Sequence, residues 1–157
     1  MKGQVSLNNR KDLVSQLPQI KAALQSGKMV EFETHGISML PLLHDGGDKV
    51  ILTKALSELS LGDVALCKTD DGRYVLHRVI AKEKGNYILK GDNCVTTECC
   101  LSDYDVIGVA DSFIRRGKVI SVSDKKYLFY VRHRSFFIKL WRAFWRVTDF
   151  FVRMFRR

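Results

Sequence analysis

The chain lacks several features, and each absence excludes a class of protein. No uncharged apolar run approaches the roughly 18 residues of a conventional membrane span. The first ten residues, Met-Lys-Gly-Gln-Val-Ser-Leu-Asn-Asn-Arg, have no apolar core of the kind a secretory leader needs. Cysteines stand only at 67, 94, 99 and 100, with no Cys-x-x-Cys, so no metal site and no cofactor is expected. Neighbouring Cys99 and Cys100 are badly placed to bridge each other. The expectation is a cytoplasmic chain with reduced thiols. No helical segments alternate with the strand-like ones, which excludes a wound parallel sheet, and there is no internal repeat. Acidic residues are scarce at one end. Over 127–157 Asp149 stands alone against eight Lys and Arg, so the tail carries +7 of the net +9.

What is present is enough for one domain with an appendage: 157 residues, 46% of them hydrophobic. Residues 9–26 read as helix, because Leu13, Leu17, Ile20 and Leu24 recur on one face, with Asn8 or Asn9 as cap and Gly27 as stop. Pro18 predicts a kink or two short helices. Short strands are expected at 29–34, 48–54, 63–68, 73–81, 86–90, 105–115 and 118–122. Polar turns such as Asp45-Gly46-Gly47-Asp48 and Gly91-Asp92-Asn93 separate them. The expected organisation is an N-terminal helical segment over 1–27, a mainly β domain over 28–122, antiparallel and partly closed, and a basic aromatic tail over 123–157.

Three fragments suggest chemistry. Gly36-Ile-Ser-Met-Leu-Pro41 places a serine in a turn stopped by proline. Serine is a poor nucleophile without a neighbouring base, and a rigid turn would display its Oγ. Ile37 and Met39 beside it supply an apolar surround suited to substrate. Val75-Leu-His-Arg-Val-Ile80 places His77 on a strand, on one face with Val75 and Val79, with Val75 as a further substrate contact. Gly91-Asp92-Asn93 offers a carboxylate, Asp92, as the group that orients the imidazole. His35 and His44, near Ser38 in the chain, are alternative bases. Singly, a turn serine, a core histidine and a turn aspartate are ordinary; together they are the parts of a serine hydrolase.

These fragments, with Gly62-Asp-Val-Ala-Leu66, Lys90-Gly-Asp-Asn93 and Val106-Ile-Gly-Val109, resemble the signal-peptidase and LexA-type serine peptidase superfamily over about residues 29–115. The resemblance implies that Ser38 is the nucleophile and His77 the base, as in the histidine branch of that superfamily. It implies that Glu98, six residues after Asp92, holds the place of that branch's aspartate. Gly36 stands where many members carry a hydroxyl, so oxyanion stabilisation would fall to backbone N–H groups. A LexA-like self-cleaving regulator ranks low, because no helix-turn-helix fits the residues before the β body.

The tail holds eleven of the sixteen aromatic residues. Ser135, Lys139, Arg142, Arg146, Asp149, Arg153 and Arg156 recur at alternating steps of four and three, one polar stripe on a helix otherwise apolar. Trp141, Trp145, Phe137 and Phe144, with Arg142 and Arg146, are expected to meet an anionic membrane surface. Nucleic acid is not expected as a partner. The sequence therefore predicts a serine endopeptidase, peripheral at the inner face of the cell membrane. It would cleave a peptide or protein substrate such as a leader or pro-segment, near a transporter. The competing reading is a non-catalytic β module that binds peptide at a membrane surface.

Overall fold

In the computed structural model, residues 3–6, 13–100 and 105–155 are described, with side chains described to 146 and at 148. In chain order the elements are β1 (Gln4–Ser6), α1 (Leu13–Gln25), β2 (Met29–Glu33), β3 (Lys49–Thr53), β4 (Val64–Lys68), β5 (Tyr74–Glu83), β6 (Asn86–Lys90), β7 (Glu98–Cys100), β8 (Val106–Arg115), β9 (Lys118–Ser121) and α2 (Lys125–Phe155). The strands form one nine-stranded sheet in the order β1-β2-β3-β8-β4-β5-β6-β7, with β9 paired to β8.

The sheet is mixed and open, where an antiparallel, partly closed one was expected. The parallel pair is β1 with β2. Helix α1 carries the chain back between them, and only such a crossover lets consecutive strands run the same way. Three residues with no apolar alternation gave no strand signal at Gln4–Ser6. Strand β7, also of three residues, was not expected either. The remaining seven strands fall within a residue or two of the predicted segments, marked off by turns whose glycines have positive φ, as at Gly72 and Gly85. Helix α1 runs through Pro18 as one helix rather than two. Residues 9–12 of the predicted helix lie outside the described residues. At its end Gly27, φ +75°, lets its own N–H reach Leu24 O and that of Lys28 reach Ala23 O, which closes the last turn.

Strand alternation divides the apolar residues between two cores. Leu17, Ile20 and Leu24 of α1 pack with Val30, Val50, Leu52, Val64, Leu66 and Phe113 in the larger one, and Tyr127 from the first turn of α2 joins them. Ala65, Cys67, Val79, Tyr87, Leu89 and Cys100 form the smaller. Strand β4 feeds both, with Val64 and Leu66 on one face and Ala65 and Cys67 on the other. All four cysteines are free thiols. Asp124 Oδ1 accepts from Lys126 N and caps α2. At His133 the backbone leaves helical values (φ −109°, ψ 15°). The part of α2 before this point packs on the body; beyond it Phe136, Leu140, Phe144 and Trp145 are more than half exposed. Among the described residues no helix is long and apolar enough to cross a membrane.

Candidate active site

Ser38 lies in the turn that follows β2. Gly36 enters it with φ +91° and donates its N–H to Asp45 Oδ1 at 2.8 Å; the Leu40–Pro41 peptide is cis. Met39, Leu40, Leu42 and Leu43 are buried and fasten the turn to the body, while Ile37 is 65% exposed. Met39 was expected to touch substrate. It instead belongs to the larger core, because the turn needs an anchor on its inner side. Among the described residues, Ser38 N–H donates to no protein acceptor.

His77 lies in the middle of β5, opposite Ala65 of β4, and is 6% exposed. Alternation places Arg73, Val75, His77 and Val79 on one face. The pairings Val79–Leu89 and Leu89–Glu98 carry that face across β6 to β7. Glu98 therefore arrives beside the imidazole, with Oε2 2.7 Å from His77 Nδ1. Neither atom has a well-aligned hydrogen-bond partner, so the approach is close but bent. Glu98 Oε1 lies 3.2 Å from Arg73 Nη2, and Arg73 Nε is 2.7 Å from Asp71. Burial pushes His77 below the ordinary imidazole range; Glu98 opposes that shift and Arg73 adds to it. The ring is thus neutral near pH 7. Its Nδ1 faces the carboxylate, which leaves Nε2 as the basic nitrogen.

Gly91 lies where Nε2 and the serine turn meet. It continues the His77 face of β6, and a Cβ there would stand 3.0 Å from His77 Nε2, 2.7 Å from the Ser38 carbonyl oxygen and 2.7 Å from Cys94 Sγ. The serine backbone and the imidazole therefore approach within the sum of two such contacts, with room for no side chain between them. Asn93 fixes this arrangement. Its N–H donates to Ser38 O at 2.8 Å and its Nδ2 to Ile37 O at 3.2 Å. Arg142 of α2 in turn donates to Asn93 O at 2.7 Å and to Asn93 Oδ1 at 3.3 Å. Among the described residues no hydrogen bond joins Ser38 Oγ to His77 Nε2.

Asp92 takes a different place. It follows Lys90 on the opposite face, where Arg78 grips it with two bonds, Nε to Oδ1 at 2.8 Å and Nη2 to Oδ2 at 2.7 Å. Tyr130 OH donates to Oδ2 at 2.9 Å, and Arg78 Nη1 reaches Gly62 O and Tyr127 OH. Both residues are buried. Of the two carboxylates expected as orienting groups, Glu98 meets the imidazole and Asp92 closes a buried ion pair beneath α2. Val75 is half-buried against the smaller core. His35 lies beside Asp45, and His44 contacts Asp48 and Arg115. In the tail, Phe144, Trp145 and Arg146 are exposed, whereas Phe137, Trp141 and Arg142 are partly covered.

Sequence reasoning missed three contributors. Arg73 was detectable, since it shares strand parity with His77. Gly91 and Asn93 were noted only as turn residues, and no local pattern reveals which distant segment a turn will touch. No protein-family model matches this chain, and no curated protein matches it.

Proposed function

We propose that the protein is a serine endopeptidase of signal-peptidase type, with Ser38 as nucleophile, His77 as general base and Glu98 as the residue that orients the ring. The observation that carries this reading is the convergence at Gly91. One imidazole nitrogen lies against a largely buried carboxylate, and the other faces the turn that carries a partly exposed serine. An extended peptide binds along the strand edge beside this turn. His77 Nε2 takes the Ser38 proton as Oγ attacks the carbonyl. The Ser38 N–H, which donates to no acceptor among the described residues, stabilises the resulting oxyanion. His77 then protonates the leaving amine, and water hydrolyses the acyl-enzyme. The Oγ–Nε2 hydrogen bond forms when substrate orders the serine rotamer; catalytic hydrogen bonds are often loose in the free enzyme.

The resemblance to peptidases that mature exported polypeptides makes a leader or pro-segment the substrate, cleaved near a transporter. Membrane residence is supported by α2. Its outer side presents Phe136, Leu140 and Phe144, and Trp145 further along the helix is also more than half exposed, on a segment rich in arginine. Such a helix lies in the headgroup region of an anionic bilayer.

Wild type, Ser38→Ala and His77→Ala should be incubated with a diverse peptide mixture, with products read by mass spectrometry. Cleavage should fall by at least roughly 10³-fold in both variants. Equal product patterns from all three proteins would remove the catalytic assignment and leave the peptide-binding β module, which the missing Oγ–Nε2 bond favours.

A further inference from the structure

Beside the candidate catalytic residues, helix α2 and the turn after β6 enclose a cleft of about 300 Å³. It shares Gly91 and Cys94 with the serine–histidine junction, so its inner end opens within a few contacts of His77 Nε2. Four cations line it: Lys90 from β6, Lys139 and Arg142 from the polar stripe of α2, and Arg134 one residue before that stripe begins. The carboxylate in the lining is Asp92, and both its oxygens are taken by Arg78, with Tyr130 on one of them. Among the described residues, Lys90, Arg134 and Lys139 pair with no carboxylate. Arg142 spends two of its donors on the neutral Asn93.

Four like charges around one small cleft repel one another, and the cleft's walls focus their field inward. The arrangement therefore favours an anion. The choice of anion follows from position. The cleft lies on the side of α2 opposite the exposed Phe136, Leu140 and Phe144, so a bilayer on the aromatic side is a helix diameter away. It is continuous with the place where a peptide bond would be cut. Its occupant is then a side chain carried in by the substrate itself.

We infer that this cleft is a specificity subsite that receives an aspartate or glutamate adjacent to the scissile bond, so that the substrate is an acidic peptide. The inference rests on the peptidase reading for its function but not for its binding. Lysines supply point charge; Arg134 supplies a planar fork that matches a carboxylate, and Arg142 adds charge and its remaining donors.

The test uses peptide sets identical except for Glu, Gln or Lys at each position near the bond cleaved by the wild type. Glu should raise kcat/KM over Gln by about tenfold at low ionic strength at one position, and salt should erode the gain. In Arg134→Glu/Lys139→Glu the preference should invert toward Lys. Both sites are on the surface of α2, so these changes leave the core intact. Equal cleavage of the three sets by the wild type would overturn the subsite while leaving the peptidase standing. If nothing is cleaved, extended peptides of one composition that differ only in carrying Glu, Gln or Lys are titrated by fluorescence anisotropy onto Ser38→Ala. Tight binding of Glu peptides alone, lost in the charge-reversed protein, supports the subsite although the peptidase reading has failed. Binding indifferent to peptide charge but displaced by inorganic phosphate overturns it.

Discussion

At the scale of single residues, the site depends on how burial and two charges act on one imidazole. Burial depresses the His77 pKa, Glu98 raises it and Arg73 lowers it. The acid limb of kcat/KM reports that ionisation in the free enzyme, so its midpoint should fall below the ordinary imidazole value of about 6.5. Glu98→Gln removes a raising influence. The midpoint should move further down, and kcat should drop by roughly 10²–10⁴-fold as the ring loses its orienting partner. Arg73→Ala removes a lowering influence, so the midpoint should move up. Opposite displacements in the two variants, read from pH–rate profiles, are a signature that a merely structural cluster would not give. Displacements in the same direction would contradict the arrangement. The same depression has a consequence for stability. A histidine held neutral in the folded state contributes stability at higher pH that is lost as pH falls from about 6.5 toward its folded pKa.

Elements decide which carboxylate does what. His77 and Arg78 are neighbours on β5 and point to opposite faces. One strand thereby holds both ends of the 91–98 segment, Asp92 on the helix side and Glu98 on the smaller-core side. The Arg78–Asp92 pair is fully desolvated, and removing one partner would leave a buried, uncompensated charge. Asp92→Ala should lower the free energy of unfolding by about 3–5 kcal/mol, measured by denaturant titration. Glu98→Gln, whose side chain lies at the edge of the body beside Arg73 and is 14% exposed, should cost far less stability and mainly activity. A reversal of these two phenotypes would exchange their roles.

The limits of the sequence also appear at this scale. The seven main strands were legible because each has glycine or aspartate turns and alternating burial. Ser38 and His77 were legible because a serine in a proline-stopped turn and a histidine on an apolar strand face are chemically unusual together. The short strands β1 and β7 carry too few alternating residues to register. Asp92 and Glu98 could not be told apart, because the choice depends on strand parity across two pairings and a β-bulge between Val79 and Ala81. The polar stripe of α2 was legible as a stripe. That its Arg142 reaches Asn93 of the body while Phe136, Leu140 and Phe144 stay exposed was not, since helical periodicity defines faces but not their neighbours.

For the whole molecule, charge and apolar surface are segregated onto one helix. The body is nearly neutral, and α2 supplies both the cations and the uncovered aromatic ridge. Wild-type protein should sediment with vesicles containing anionic lipid. Phe136→Ser/Phe144→Ser/Trp145→Ser should weaken that binding by at least about tenfold, because each aromatic forfeits its apolar burial. Unchanged sedimentation would assign the ridge to a protein partner or to none. Because Arg142 connects this helix to Asn93, and Asn93 to the turn that carries Ser38, α2 and that turn share one mechanical path.

The most direct test is an experimental structure of the protein with a peptide boronate bound at the site. The prediction is a covalent bond from boron to Ser38 Oγ, with His77 Nε2 within about 2.6–3.2 Å of that oxygen and Glu98 still against Nδ1. Boron attached elsewhere, or an imidazole that stays out of reach of the serine oxygen, would contradict the account.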